Sequence, residues 1–218
     1  DETNEGEIWK CQITPNDGIS DGVTANSSLT IIPLSNSITY TGTFTEAGNM
    51  TIALGGNLMF GSYSNLTIAG NVTIAGNYTA GISTQKFGTS SQGVRLQSTS
   101  NVSVIGTSAV HANLTRRDSD SGNWQLTVER GAATNFTYVD MSYVNATWNA
   151  SATIAYSRIT GAGSWTIYQG VTLRFLNTIF EQISGAIFKI FGTLTLNANA
   201  IFGYLNITST GNLTMELG

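Results

Sequence analysis

Two hexads stand end to end near the middle of the chain: Asn65-Leu66-Thr67-Ile68-Ala69-Gly70 and Asn71-Val72-Thr73-Ile74-Ala75-Gly76, followed by Asn77-Tyr78-Thr79-Ala80. Their side chains alternate. Val72 and Ile74 fall on one side, and Asn71, Thr73 and Ala75 on the other, which is the period of a strand with one buried face. The surrounding stretch Gly48–Gly81 contains no Asp, Glu, Lys or Arg. Nothing in the chain reads as a long helix, because strong helix formers and i, i+4 charge pairs are nearly absent.

Each hexad also opens with an N-x-[ST] triplet, the acceptor pattern for N-glycosylation. Twelve asparagines fit it: Asn26, Asn49, Asn65, Asn71, Asn77, Asn101, Asn113, Asn135, Asn145, Asn149, Asn206 and Asn212. The middle residue is apolar in every triplet except that of Asn26. On a strand, Asn and Thr share one face and the middle residue takes the other. The triplets are therefore expected on strands whose far face is buried, with Asn turned outward to carry sugars. Unmodified Asn and Thr forming side-chain ladders on stacked strands is the other reading of the same pattern.

Composition narrows the class. Hydrophobic residues make up 41% of the 218, ordinary for a folded chain, whereas charged residues make up 10% against about 25% in typical domains. Charge does not keep such a surface dispersed, and glycans are the expected substitute. The net charge of −4 and the scatter of nine Lys and Arg give no basic patch, so nucleic acid is not an expected partner. There is no run of 18 apolar residues, hence no expected membrane-spanning helix. The single cysteine, Cys11, excludes a disulfide within the chain and leaves a small apolar thiol or an intermolecular bridge. The start at Asp1 reads as a mature form whose leader has been removed.

Along the chain, residues 1–24 form a polar, acidic segment expected to contact a neighbouring subunit. Residues 25–218 are expected to form one β-solenoid domain, with a subdivision near 112–123 as the only further division suggested. Ser28–Phe44 reads as two strands around a break at Pro33–Ser37. VRLQ and NVSVIG read as strands, and Arg116–Asn123 as a charged loop before the strand Trp124–Glu129. From Asn135 onward, short apolar segments recur between Asn or Gly turns. Tyr138, Tyr156, Asn177 and Phe202 mark a spacing of 18, 21 and 25 residues, a period of stacked solenoid coils.

Residues 135–218, in segments such as Leu176-Asn-Thr-Ile-Phe-Glu-Gln-Ile-Ser-Gly185, resemble right-handed parallel β-helix proteins of the pectin-lyase type. The hexads of 65–80 are compatible with the same solenoid. The fold class is thus all-β, a right-handed parallel β-helix, with an antiparallel β-sandwich as the competing arrangement. The Thr/Asn-rich strands, many triplets and few charges also resemble heavily N-glycosylated subunits of archaeal extracellular filaments. That resemblance implies a polymer joined through β-structure.

The pectin-lyase likeness implies where chemistry would sit: acidic clusters beside a basic residue. The candidates are Asp118 and Asp120 beside Arg116 and Arg117, or Asp140 and Glu181 on successive coils. Glycoside hydrolysis needs two carboxylates at a set separation, and calcium needs several carboxylates among six to eight oxygens. The charged loop reads more simply as solvated. His111 is the only histidine, too few for a zinc site, and no G-x-S-x-G elbow accompanies it for a triad. Trp9, Trp124, Trp148 and Trp165 are expected in the core, with sugar stacking as the alternative.

No catalytic residue, cofactor or metal is therefore expected. The expectation is an extracellular or cell-surface structural subunit, densely N-glycosylated, that polymerises with itself through its N-terminal segment and the strand edge at Asn212–Leu217. A carbohydrate-active or carbohydrate-binding β-helix is the first alternative, and an adhesin or virion surface protein the second.

Overall fold

The computed structural model describes residues 8–14, 16, 18–20, 25–30, 37–89, 93–181, 187–197, 200–201 and 206–216, without the side chains of 8–13, 25–30, 200–201, 206–209 and 216. The chain forms two compact units, Asp1–Asn36 and Ser37–Gly218. In the first, β1 (Ile8–Ile13) pairs antiparallel with β2 (Ala25–Thr30), Cys11 opposite Ser27. The division expected after residue 24 thus falls between the two strands of one hairpin. No division occurs near 112–123.

The second unit is a parallel β-solenoid built from three sheets. Sheet I stacks β3 (Ser37–Tyr40), β6 (Asn57–Phe60), β9 (Asn77–Ala80), β12 (Asn101–Ile105), β15 (Ala133–Thr137), β18 (Ala152–Ala155), β21 (Thr172–Leu176), β24 (Thr193–Asn197) and β27 (Asn212–Glu216). Sheet II stacks β4 (Thr43–Glu46), β7 (Asn65–Ile68), β10 (Thr84–Phe87), β13 (Ala112–Arg116), β16 (Val139–Ser142), β19 (Arg158–Thr160), β22 (Ile179–Glu181) and β25 (Ala200–Ile201). Sheet III stacks β5 (Met50–Ile52), β8 (Val72–Ile74), β11 (Gly93–Leu96), β14 (Trp124–Val128), β17 (Val144–Trp148), β20 (Ser164–Ile167), β23 (Ile187–Ile190) and β26 (Asn206–Ser209). Each coil contributes one strand to each sheet, giving eight coils and the ninth strand of sheet I. An antiparallel sandwich is not the arrangement: the only antiparallel strand pair among the described residues is β1–β2. The described residues contain no helix.

The hexads show why this sequence coils. Leu66, Ile68, Val72 and Ile74 are 0–2% exposed, on the inner face. Ala-Gly then turns the chain at a point where successive coils nearly touch. A Cβ at Gly76 would collide with the carbonyls of Gly56 and Ala53, and one at Gly70 with the carbonyl of Gly48. Later corners use a different device. Tyr138 (φ 54°), Tyr156 (φ 51°) and Asn177 (φ 49°) each turn one coil between sheets I and II in the left-handed region. They are linked one coil to the next through the backbone: Tyr138 N–H donates to Ala155 O, Tyr156 N–H to Leu176 O and Asn177 N–H to Asn197 O. The expected spacing of 18 and 21 residues marks these corners. Phe202 lies outside the described residues.

Candidate functional site

The outward residues of each strand fall into rows that run along the solenoid. On sheet I one row is Ser37, Asn57, Asn77, Asn101 and Ala133. On sheet II, Thr43, Asn65, Thr84, Asn113, Asp140 and Arg158 align. On sheet III, Gly93, Gln125 and Asn145 align, and Asn71 and Ser164 extend that row by the registers of Val72 with Val94 and Ala146 with Trp165. Asn49, Asn65, Asn71, Asn77, Asn101, Asn135 and Asn212 are exposed, and Asn113, Asn145 and Asn149 half-buried. The side chains of Asn26 and Asn206 lie outside the described residues. Under these asparagines, the middle residues Leu66, Val72, Tyr78, Val102, Leu114, Phe136, Ala146 and Ala150 are buried.

The candidate carboxylates each have a basic neighbour. Asp118 meets Lys86 Nζ at 2.6 Å. Asp120 accepts two hydrogen bonds from the Arg117 guanidinium, at 2.7 and 3.1 Å, and one from Thr89 N–H at 3.1 Å. The Arg117 hydrogen bond, ahead of the other contacts, holds the Asp120 carboxyl below the usual range. A general acid needs the opposite shift. Arg116 turns away and lies over the Tyr143 ring at 3.8 Å.

Asp140 meets His111 Nδ1 at 2.6 Å, and the imidazole packs 5.8 Å from the Tyr138 ring. Asp140 and Glu181 are not on successive coils. Asp140 aligns with Arg158, whereas Glu181 aligns with Thr160 one coil further on. Two strand spacings, about 10 Å, therefore separate them along the axis, with Arg158 between and 3.8 Å from Glu181. No group of three His, Cys, Asp or Glu that could hold a metal occurs among the described residues. Trp124, Trp148 and Trp165 are 0–1% exposed, so they offer no face to a sugar. The Trp9 and Cys11 side chains lie outside the described residues.

Two features escape sequence reading. Gln85 points into the core, where Tyr78 Oη donates to its Oε1 at 2.5 Å and its Nε2 donates to Ser83 Oγ at 2.9 Å. No local pattern flags it, since Gln85 sits in an alternating strand like its neighbours. The second is at the ends of the stack. Leu213 and Met215 of β27 are 41% and 68% exposed, although the residues aligned with them, Leu194 and Leu196, are 0% and 4% exposed. At the other end Ile38 of β3 is 50% exposed, against 7% for its aligned Leu58. Ile38, Leu213 and Met215 thus belong to core rows and are exposed among the described residues.

No protein-family model, curated protein or solved structure matches the chain. The fold defines a class, the parallel β-solenoids, and the account of function rests on the residues themselves.

Proposed function

We propose that the chain is a structural subunit of a secreted, densely N-glycosylated extracellular filament or surface polymer. Its copies join end to end through strand edges. The observation that carries this reading is the rows of outward polar residues on the flanks. The flanks present rows of Asn, Thr and Ser, with ten of the twelve acceptor asparagines partly or fully exposed. Among the described residues, core-row positions such as Met215 are exposed. An unpaired strand edge is a template for another chain, and solenoid coils are stabilised by the next coil.

The matching of rows supports a second copy as the partner. Set against β3, β27 would bring Leu213 and Met215 onto Ile38 and Tyr40, and Thr214 onto Thr39. Glycans on the flanks would keep lateral surfaces apart and leave the ends for contact. The N-terminal segment supplies a further strand for addition to a neighbour. The resemblance to archaeal filament subunits accords with this reading. A carbohydrate-active role draws less support, since Asp118, Asp120 and Glu181 each face a cation and Asp140 is bonded to His111.

Sedimentation of the full chain tests the reading. Wild type is expected to form large species with increasing concentration, and both Met215→Lys and a chain lacking Asp1–Trp9 to remain monomeric. Normal polymers from Met215→Lys would overturn the end-to-end version. Normal polymers from the truncated chain would overturn the role of the N-terminal segment.

A further inference from the structure

The acceptor triplets do not all occupy equivalent places. On sheets I and II, the backbone N–H of the asparagine is already satisfied by the main chain of the preceding coil. Asn77 N–H donates to Gly56 O, Asn101 N–H to Gly76 O and Asn212 N–H to Gly192 O; on sheet II, Asn65 N–H donates to Gly42 O and Asn113 N–H to Ser83 O. The side chains in these rows are not needed to close the backbone ladder, although Asn77 Nδ2 donates across coils to Asn57 Oδ1 at 2.5 Å.

Sheet III differs. Here the cross-coil acceptor is the asparagine side chain. Asn71 N–H donates to Asn49 Oδ1 at 2.8 Å, Gly93 N–H to Asn71 Oδ1 at 3.1 Å and Ser164 N–H to Asn145 Oδ1 at 2.8 Å. Three separate triplets, Asn49-Met-Thr, Asn71-Val-Thr and Asn145-Ala-Thr, thus do the same job at the same row. Asn145 is the most confined. Its half-buried amide also accepts from Asn123 Nδ2 at 3.2 Å, and a Cβ at Gly163 would collide with the amides of both Asn145 and Asn123. The amide is held from both directions along the axis, from Asn123 before β14 and from Ser164 at the start of β20. Coils stack about 4.8 Å apart, and a sugar on Nδ2 would have to leave an amide pinned between two neighbouring coils.

We infer that the sheet III triplets at Asn49, Asn71 and Asn145 are a coil-stacking motif that mimics a glycosylation signal. Asn supplies the cross-coil acceptor, the middle residue fills the core, and Thr supplies a β-branched outward residue. Asn49, Asn71 and Asn145 carry no sugar, and glycans are confined to acceptors elsewhere, including Asn65, Asn77, Asn101, Asn113, Asn135 and Asn212. The inference rests on the glycoprotein reading above for its second half only.

Glycopeptide mapping of the native protein, combined with three variants of the full chain, tests it. Asn145→Ala removes the acceptor and is expected to lower the thermal midpoint by about 2–4 °C, the shift of a lost hydrogen bond in a domain this size. Asn145→Asp keeps an acceptor oxygen, and Thr147→Val keeps Asn145 while destroying the triplet. Both are expected to melt with wild type at neutral pH, and none of the three to change the glycan mass. Sugar at Asn49, Asn71 or Asn145 overturns the inference, as do equal midpoints for all three variants. A chain with no sugar at any triplet removes the glycoprotein reading. The contrast between Asn145→Ala and Asn145→Asp then still decides the stacking role.

Discussion

The coils of β6 to β14 and those of β15 to β23 share one architecture and are held together differently. In the first group aligned residues drift further apart: Asn57 and Asn77 are 20 residues apart, Asn77 and Asn101 24, Asn101 and Ala133 32. The extra residues leave the core as corner excursions, and ion pairs tie these to neighbouring strands, Lys86 to Asp118 and Arg95 to Glu129. The interior is mostly aliphatic, with the buried Gln85 and a void of about 30 Å³ lined by Val72, Val94, Val102 and neighbours. In the second group the spacing tightens to 18 and 21, from Asn135 to Thr153 to Arg174. Single left-handed residues make the corners, and an aromatic column fills the interior. Trp148, Trp165 and Phe188 stack at 6.2 and 5.4 Å between centroids. Small residues make room for it: Ala146 aligns with Trp165. A short coil has few residues with which to fill its section, so large rings beside alanines achieve close packing.

The largest expected effect lies in the aromatic column. Trp165→Ala should cost about 3–5 kcal/mol, read by urea unfolding. Hydrogen exchange should locate the loss in β17, β20 and β23 before β7 and β8. Uniform loss over all coils would erase the distinction between the two groups.

A smaller effect is expected in the aliphatic group. Gln85→Leu leaves the Tyr78 hydroxyl without its acceptor in the core and should cost about 1–3 kcal/mol. Burial already pushes that phenol far up, so it stays neutral. Adding Tyr78→Phe should recover most of the loss, because both polar partners are then gone. A double variant as unstable as the single one would show that the pair does more than satisfy itself.

The smallest effect is electrostatic. The Asp120 carboxyl titrates below its ordinary value because of Arg117. Its contribution is therefore complete above about pH 4 and disappears as the pH falls through the lowered value. Asp120→Asn should be less stable than wild type at pH 7, and the gap should close as the pH falls through the lowered value. A difference that persists in acid would mean that packing of the excursion, and not charge, holds it.

What could be read from residues alone was whatever repeats within one coil. Alternation placed Val72, Ile74 and the middle residues of most triplets inside. Spacing found the corners at Tyr138, Tyr156 and Asn177, because each is a single residue in a short coil. Contacts that depend on register were hidden. Lys86 and Asp118 are 32 residues apart, His111 and Asp140 29, and only the length of the intervening excursion decides that they meet. The same dependence misplaced Asp140 and Glu181 by one coil. It also hid the difference among triplets, since Asn77 and Asn145 look alike until the acceptor of each backbone N–H is known. The pairing of β1 with β2 across residue 24 was hidden for a related reason, since the two strands lie in segments that read differently.

Electron microscopy of the native protein, untreated and after enzymatic removal of N-glycans, tests the central claim most directly. The account predicts regular filaments with density projecting from their sides, lost on deglycosylation while the filament core persists. Discrete single solenoids with smooth flanks would contradict it.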